Sequence, residues 1–168
     1  MIRFFIKILF LAFVFCFVGL SSNHAQDSKV PSSWKKVSIC NINFFVPKNL
    51  KNNNARGIDS CVASFDSEEI GLNIDYGWYG SPSAKYSEEY TDFKEEFIKI
   101  DRKKAQLATF RDERMDSKQN FVARIYVALG KKLAGVGMTP SLNMTITVRS
   151  EKELETARQI FQSIRFDK

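Results

Sequence analysis

The sequence predicts an α+β fold: one antiparallel sheet of about six or seven strands with flanking helices, including a C-terminal amphipathic helix. Three observations carry this reading. Several short segments alternate apolar and polar residues at the strand period of two, turn-forming residues separate them, and a single clear helical repeat closes the chain.

The elements are taken in chain order. Residues 26–33 are polar with one proline and read as a leader, so the domain proper is expected to span 34–168. Val37 to Val46 is β-branched and aromatic and reads as one strand ending at Pro47, which lacks an amide donor. Lys48 to Gly57, with Asn52-Asn53-Asn54, is a polar connection. Asp59 to Phe65 and Ile70 to Trp78 read as a hairpin around the turn Asp66-Ser67-Glu68-Glu69. Gly77 to Tyr90 is rich in glycine, serine, proline and tyrosine, which predicts a long surface loop.

Phe93 to Ile100 fits either a helix face or a strand. We favour a strand ending at Asp101, a charged turn at Arg102-Lys103, and a second strand over Ala105 to Arg111. Phe121 to Leu129 alternates as a central strand, Gly130 to Thr139 has room for a short strand, and Leu142, Met144, Ile146 and Val148 mark another. Ser150 and Glu153 have capping-box spacing, and Leu154, Ala157, Phe161 and Ile164 then recur at helical spacing, predicting a helix over about 151–163 that packs on the sheet.

Ahead of the domain, Arg3 and Lys7 precede a charge-free apolar run from Ile8 to Leu20, and the small residue Ala25 comes after it. This order is that of a cleavable signal peptide over 1–25. The run falls short of the roughly 20 apolar residues that cross a bilayer core, so no transmembrane span is expected after cleavage. Cys16 lies inside the run without the small residues that precede a lipid-modified cysteine. The expected location is extracytoplasmic, periplasmic or secreted.

Cleavage leaves Cys40 and Cys61, an even pair in an oxidising compartment, which points to a disulfide. As strand residues, Cys40 would share a face with Ile42, Phe44 and Val46, and Cys61 with Ala63 and Phe65, so both sulfurs are expected in the core.

Leu142-Asn143-Met144-Thr145-Ile146, the closing run Ala157-Arg158-Gln159-Ile160-Phe161-Gln162-Ser163-Ile164-Arg165-Phe166 and the strand end Val46-Pro47 resemble the Mog1/PsbP-like superfamily. The resemblance implies an antiparallel sheet flanked by helices and a role in binding, as an assembly or accessory factor. It supplies no functional motif that transfers residue by residue.

Composition excludes several chemistries. The formal charge of +6 falls by two when Arg3 and Lys7 leave, and Glu95, Glu96, Asp101, Asp112 and Glu113 interleave the basic residues from Lys94 to Arg114, so no basic face for nucleic acid is expected. The single histidine, His24, leaves with the signal, which removes a histidine triad or a histidine-ligated metal. No phosphate loop or dinucleotide fingerprint occurs, and no cofactor is expected. Asn143-Met144-Thr145 has the glycosylation pattern but falls inside a predicted strand.

Two functional expectations remain. The first is a non-catalytic binding or accessory domain that recognises a protein or envelope component through Tyr76, Trp78, Tyr79, Tyr86 and Tyr90, since tyrosine and tryptophan make good contact anchors. The second is a hydrolase built on Asp59 and Asp75 with neighbours such as Glu88; the plainer reading is that Asp59 caps a turn and Asp75 pairs with a base such as Arg124. For the exported protein, intact-mass analysis is expected to place the N-terminus at or near Gln26; recovery of full-length chain from the cytoplasm would contradict the signal.

Overall fold

A computed structural model describes residues 30–82, 88–115, 118–130 and 139–167. The signal segment 1–25, the first part of the leader, Tyr86, and most of the region where a short strand was expected after Gly130 lie outside the described residues.

The chain forms two sheets. Strands β1 (Trp34–Ile39) and β2 (Ile42–Pro47) make a hairpin, which β10 (Arg165–Phe166) extends on the β2 side. The main sheet has seven strands in the order β3-β4-β5-β9-β8-β7-β6: β3 (Lys51–Asn52), β4 (Cys61–Asp66), β5 (Ile70–Gly77), β6 (Thr91–Ile100), β7 (Lys103–Arg111), β8 (Phe121–Ala128) and β9 (Ser141–Val148). A 3-10 turn, Glu151–Glu153, leads into the one α-helix described, α1 (Leu154–Gln162).

This corrects the expected single sheet with flanking helices. The described residues are mainly β, with a second sheet taking part of the cover that helices would have supplied. The reason lies at Cys40 and Asn41, whose φ values of 53° and 57° turn the chain in two residues and set Ile39 opposite Ile42. Residues 37–46 are therefore a hairpin and not one strand, and a turn with both central residues at positive φ matches the twist of the strands it joins. A second tight turn, at Asp101 and Arg102 (φ 44° and 67°), joins β6 to β7.

Alternation gives the main sheet two unlike faces. On the inner face Phe65, Leu72, Ile74, Leu107, Ile125, Leu142, Met144 and Ile146 are buried. They are met by Ile42, Phe44 and Val46 of β2 and by Ala157, Ile160 and Phe161 of α1. Phe44 meets Phe65 edge-on at 6.3 Å between ring centroids, the arrangement that suits the quadrupoles of two rings. The Ser163 hydroxyl, just past the helix, accepts from the Phe45 amide at 2.9 Å and so joins helix end to small sheet. At the helix start the Glu153 carboxylate accepts from the amides of Arg149 and Ser150, satisfying donors that the first turn cannot.

Cys40 and Cys61 are bridged, with their Cα atoms 5.5 Å apart. The bond ties the β1–β2 turn to the start of β4. Cys40 is buried, but Cys61 is exposed, so the bridge lies at the rim of the core and not with both ends inside it, as the strand pattern had implied. The cause is the turn: Cys40 is reached at the end of the hairpin, where the small sheet stops covering the larger one. Closing the loop between residues 21 apart stabilises the fold by about 3 kcal/mol in the chain-entropy account. Replacing both cysteines by serine is expected to lower the unfolding free energy by about that amount in urea titration. Native protein that takes up a thiol alkylator after denaturation without reductant would show that the bridge is absent.

Candidate functional site

Where β4 begins and β5 ends, the main sheet presents its largest exposed apolar side chains apart from the far edge. Cys61 is opposite Tyr76, and one residue outward Ser60 passes beside Gly77; a Cβ on Gly77 would lie 2.5 Å from the Ser60 Cβ. The connection 53–60 and the segment after β5 therefore leave the sheet side by side. Ile58 is fully exposed, Tyr79 is 61% exposed and Trp78 39%. The disulfide at Cys61 fixes the base of the first segment.

The second segment is fixed by a close approach to the outer face. A Cβ on Gly80 would lie 1.8 Å from the Asn143 side-chain nitrogen and 2.3 Å from the Ser141 hydroxyl, so only glycine lets the chain cross there. Asn143 and Ser141 are themselves buried. The glycosylation pattern at Asn143 is thus closed off within β9.

The outer face beneath this crossing is polar along one cross-strand row: Asp75, Asn143, Tyr126 and Gln106 stand opposite one another in β5, β9, β8 and β7. Arg124 donates to Asn143 Oδ1 at 3.4 Å, while Asp75 Oδ1, Gln106 Oε1 and Arg124 Nε are buried without a protein partner. The expected ion pair between Asp75 and Arg124 does not form among the described residues; the Arg124 guanidinium turns to the neutral amide of the intervening strand.

The tyrosines of the expected recognition segment separate. Tyr76 is half-buried and packs against the main core. Tyr90 stacks on Phe110 with centroids 4.0 Å apart and joins Phe93, Ala108 and Val122 in a small second cluster on the outer face. Arg114 covers it at 4.9 Å, held by Asp112 at 2.9 Å and Glu89 at 3.1 Å. The Arg114 side-chain hydrogen bonds hold the Asp112 carboxyl below its ordinary range, against an opposing push from burial, and the same bonds raise the guanidinium above its own. Among the described residues of the segment, Trp78 and Tyr79 remain as the exposed members. Ile58 was missed in the sequence, although a lone large apolar residue inside Asn52-Asn53-Asn54-Ala55-Arg56-Gly57-Ile58-Asp59-Ser60 is the signal that marks it.

No hydrogen bond links Asp59, Asp75 and Glu88 to one another among the described residues. Asp59 is exposed in the connection, Glu88 is exposed, and Asp75 belongs to the outer-face row. No group of three histidine, cysteine, aspartate or glutamate side chains able to hold a metal occurs among the described residues. A small pocket beside the helix, lined by Asp92, Lys94, Thr109, Arg111, Phe121 and Glu151 among others, has a volume of about 20 Å³, room for one water, and includes neither Asp59 nor Asp75. Among the described residues no helix is long and apolar enough to cross a membrane.

No protein-family model and no curated protein matches the chain. Among solved structures, the solution structure of cyanobacterial PsbP (CyanoP) from Synechocystis sp. PCC 6803 is similar at 11% identity and a TM-score of 0.45, covering 89% of this chain and 98% of that one. At that identity and TM-score the likeness assigns no family and no role to this chain. The functional reading rests on this chain's own residues.

Replacing Gly80 by alanine is expected to destabilise the protein by about 1–3 kcal/mol, the usual cost of forcing a side chain into packed space. Equilibrium denaturation measures it; an unchanged midpoint would show that the crossing over Asn143 is loose.

Proposed function

We infer that this chain is an exported, non-catalytic binding or accessory domain that recognises a protein or envelope component with the end of the sheet carrying Ile58, Trp78 and Tyr79. The observation that carries the reading is the joint exposure of these three side chains on two adjacent, anchored segments. Large apolar groups in contact with water disfavour the isolated protein in proportion to their area, and aromatic residues recover most of that when buried against a partner. Segments held at their bases lose little further freedom on binding, which favours affinity.

The disulfide supports an oxidising, extracytoplasmic setting. Tyr76 and Tyr90 contribute indirectly, by packing the strand and the outer cluster on either side of the segment. Tyr79 has the highest exposure of the aromatic pair and no aromatic or cationic neighbour of its own among the described residues, so it is the anchor of choice.

The test is capture from envelope extract with immobilised protein and identification of what is retained. Tyr79→Ala and Ile58→Asp are expected to reduce the retained partner at least tenfold, each with the melting temperature within a degree or two of the parent, because neither side chain is packed. Retention unchanged in both variants would refute the surface, as would a loss of binding that tracks a loss of stability.

A further inference from the structure

The main sheet ends in β6, whose outer edge has no neighbouring strand among the described residues. It is the longest strand among the described residues, and it carries one large apolar side chain in water: Phe97, 64% exposed, with the Lys104 ammonium 3.8 Å above its ring. An open edge of this kind offers unpaired backbone donors and acceptors to another strand. Near the start of β6 the register slips between Thr91 and Lys94, where Asp92 takes a positive φ of 55°. From Lys94 to Ile100 the pairing with β7 is unbroken. Phe97 is the centre of that regular stretch.

We propose that β6 pairs antiparallel with β6 of a second copy about a two-fold axis at Phe97, joining two main sheets into one. The register is set by geometry and charge. Opposed residues of an antiparallel pair share a face, so an axis normal to the sheet must run through a residue and not between two. An axis at Lys94, Glu95 or Glu96 sets that charge against its own copy, and one at Ile98 sets Glu95 against Asp101 of the second copy while shortening the match. An axis at Phe97 opposes Phe97 to Phe97 of the second copy and Glu95 to Lys99 of the second copy, twice. All of these lie on the outer face, while Lys94 and Glu96 on the inner face already hold Glu151 at 3.5 Å and Arg158 at 2.6 Å. Charges along an edge usually discourage pairing; here, of the registers centred from Lys94 to Ile98, they discourage each but one, and that one also covers the exposed ring.

Sedimentation velocity of the purified protein over a hundredfold concentration range tests this. The parent is expected to show a concentration-dependent shift from monomer to dimer. Glu95→Lys alone and Lys99→Glu alone each oppose like charges and are expected to weaken the dimer at least tenfold. The double swap Glu95→Lys/Lys99→Glu restores both pairs and is expected to return the dimer to within about threefold of the parent. In Phe97→Cys, opposed residues fall within disulfide reach, so oxidation is expected to give a covalent dimer. A parent that stays monomeric throughout would overturn the proposal, and so would a dimer indifferent to the single swaps or not regained in the double. The surface is separate from the Ile58, Trp78 and Tyr79 end, so either can fail without the other.

Discussion

The pairing of β5 with β9 is the constraint on which the rest of the structure depends. Ile70 to Gly77 runs opposite Val148 to Ser141 without a break, and this single ladder joins the β3–β5 part of the sheet to the β6–β9 part. Its register decides which residues of β5 meet the core: Leu72 opposes Ile146 and Ile74 opposes Met144, all buried, while Asp75 faces Asn143 on the other side. A slip of one residue would exchange the two sets and put an aspartate into the core. The same ladder ends at Gly77, which is why Trp78 and Tyr79 emerge where the sheet stops.

Two different solutions cover the inner face. Over β8 and toward β6 the helix supplies Ala157, Ile160 and Phe161; near β4 the β1–β2 hairpin supplies Phe44 and its neighbours. Ser163 bonds the two covers to each other. The arrangement leaves the outer face with no layer of its own among the described residues. Tyr90 and Phe93 over Phe110, Gln119 over Gly71 and Thr147, and the chain crossing at Gly80 shelter parts of it. The polar row from Asp75 to Gln106 lies on this face and not in the apolar interior, with Asn143 buried and the Asp75 Oδ1 and Gln106 Oε1 atoms buried without a protein partner.

Much of this was legible in the sequence, because alternation and helical spacing report directly which residues face a core. β4, β5, β8, β9 and the helix, counted with the 3-10 turn that leads into it, lie where their patterns put them, within a residue or two, and the two cysteines are bridged as expected. The misreading at 37–46 has a physical source. A two-residue turn interrupts the pattern for one step only, and the sole trace is a change of phase: Val37 and Ile39 at odd positions, Ile42, Phe44 and Val46 at even ones. The expected site was legible in part. Trp78 and Tyr79 are exposed, but no local pattern distinguishes them from Tyr90, whose environment depends on Phe110 and Arg114 far along the chain.

The order in which strands find partners also bears on how the protein comes to be made. β2, among the first elements synthesised, finds its second neighbour only in Arg165 and Phe166, and Asn41 accepts from the amide of Asp167. β5 likewise waits for β9. The larger sheet cannot be completed before β9 has been made, nor the smaller before Arg165 and Phe166, and contacts this distant along a chain form slowly. The early strands therefore stay without their full set of partners until those late elements have been made, so the topology itself delays the closing of both sheets.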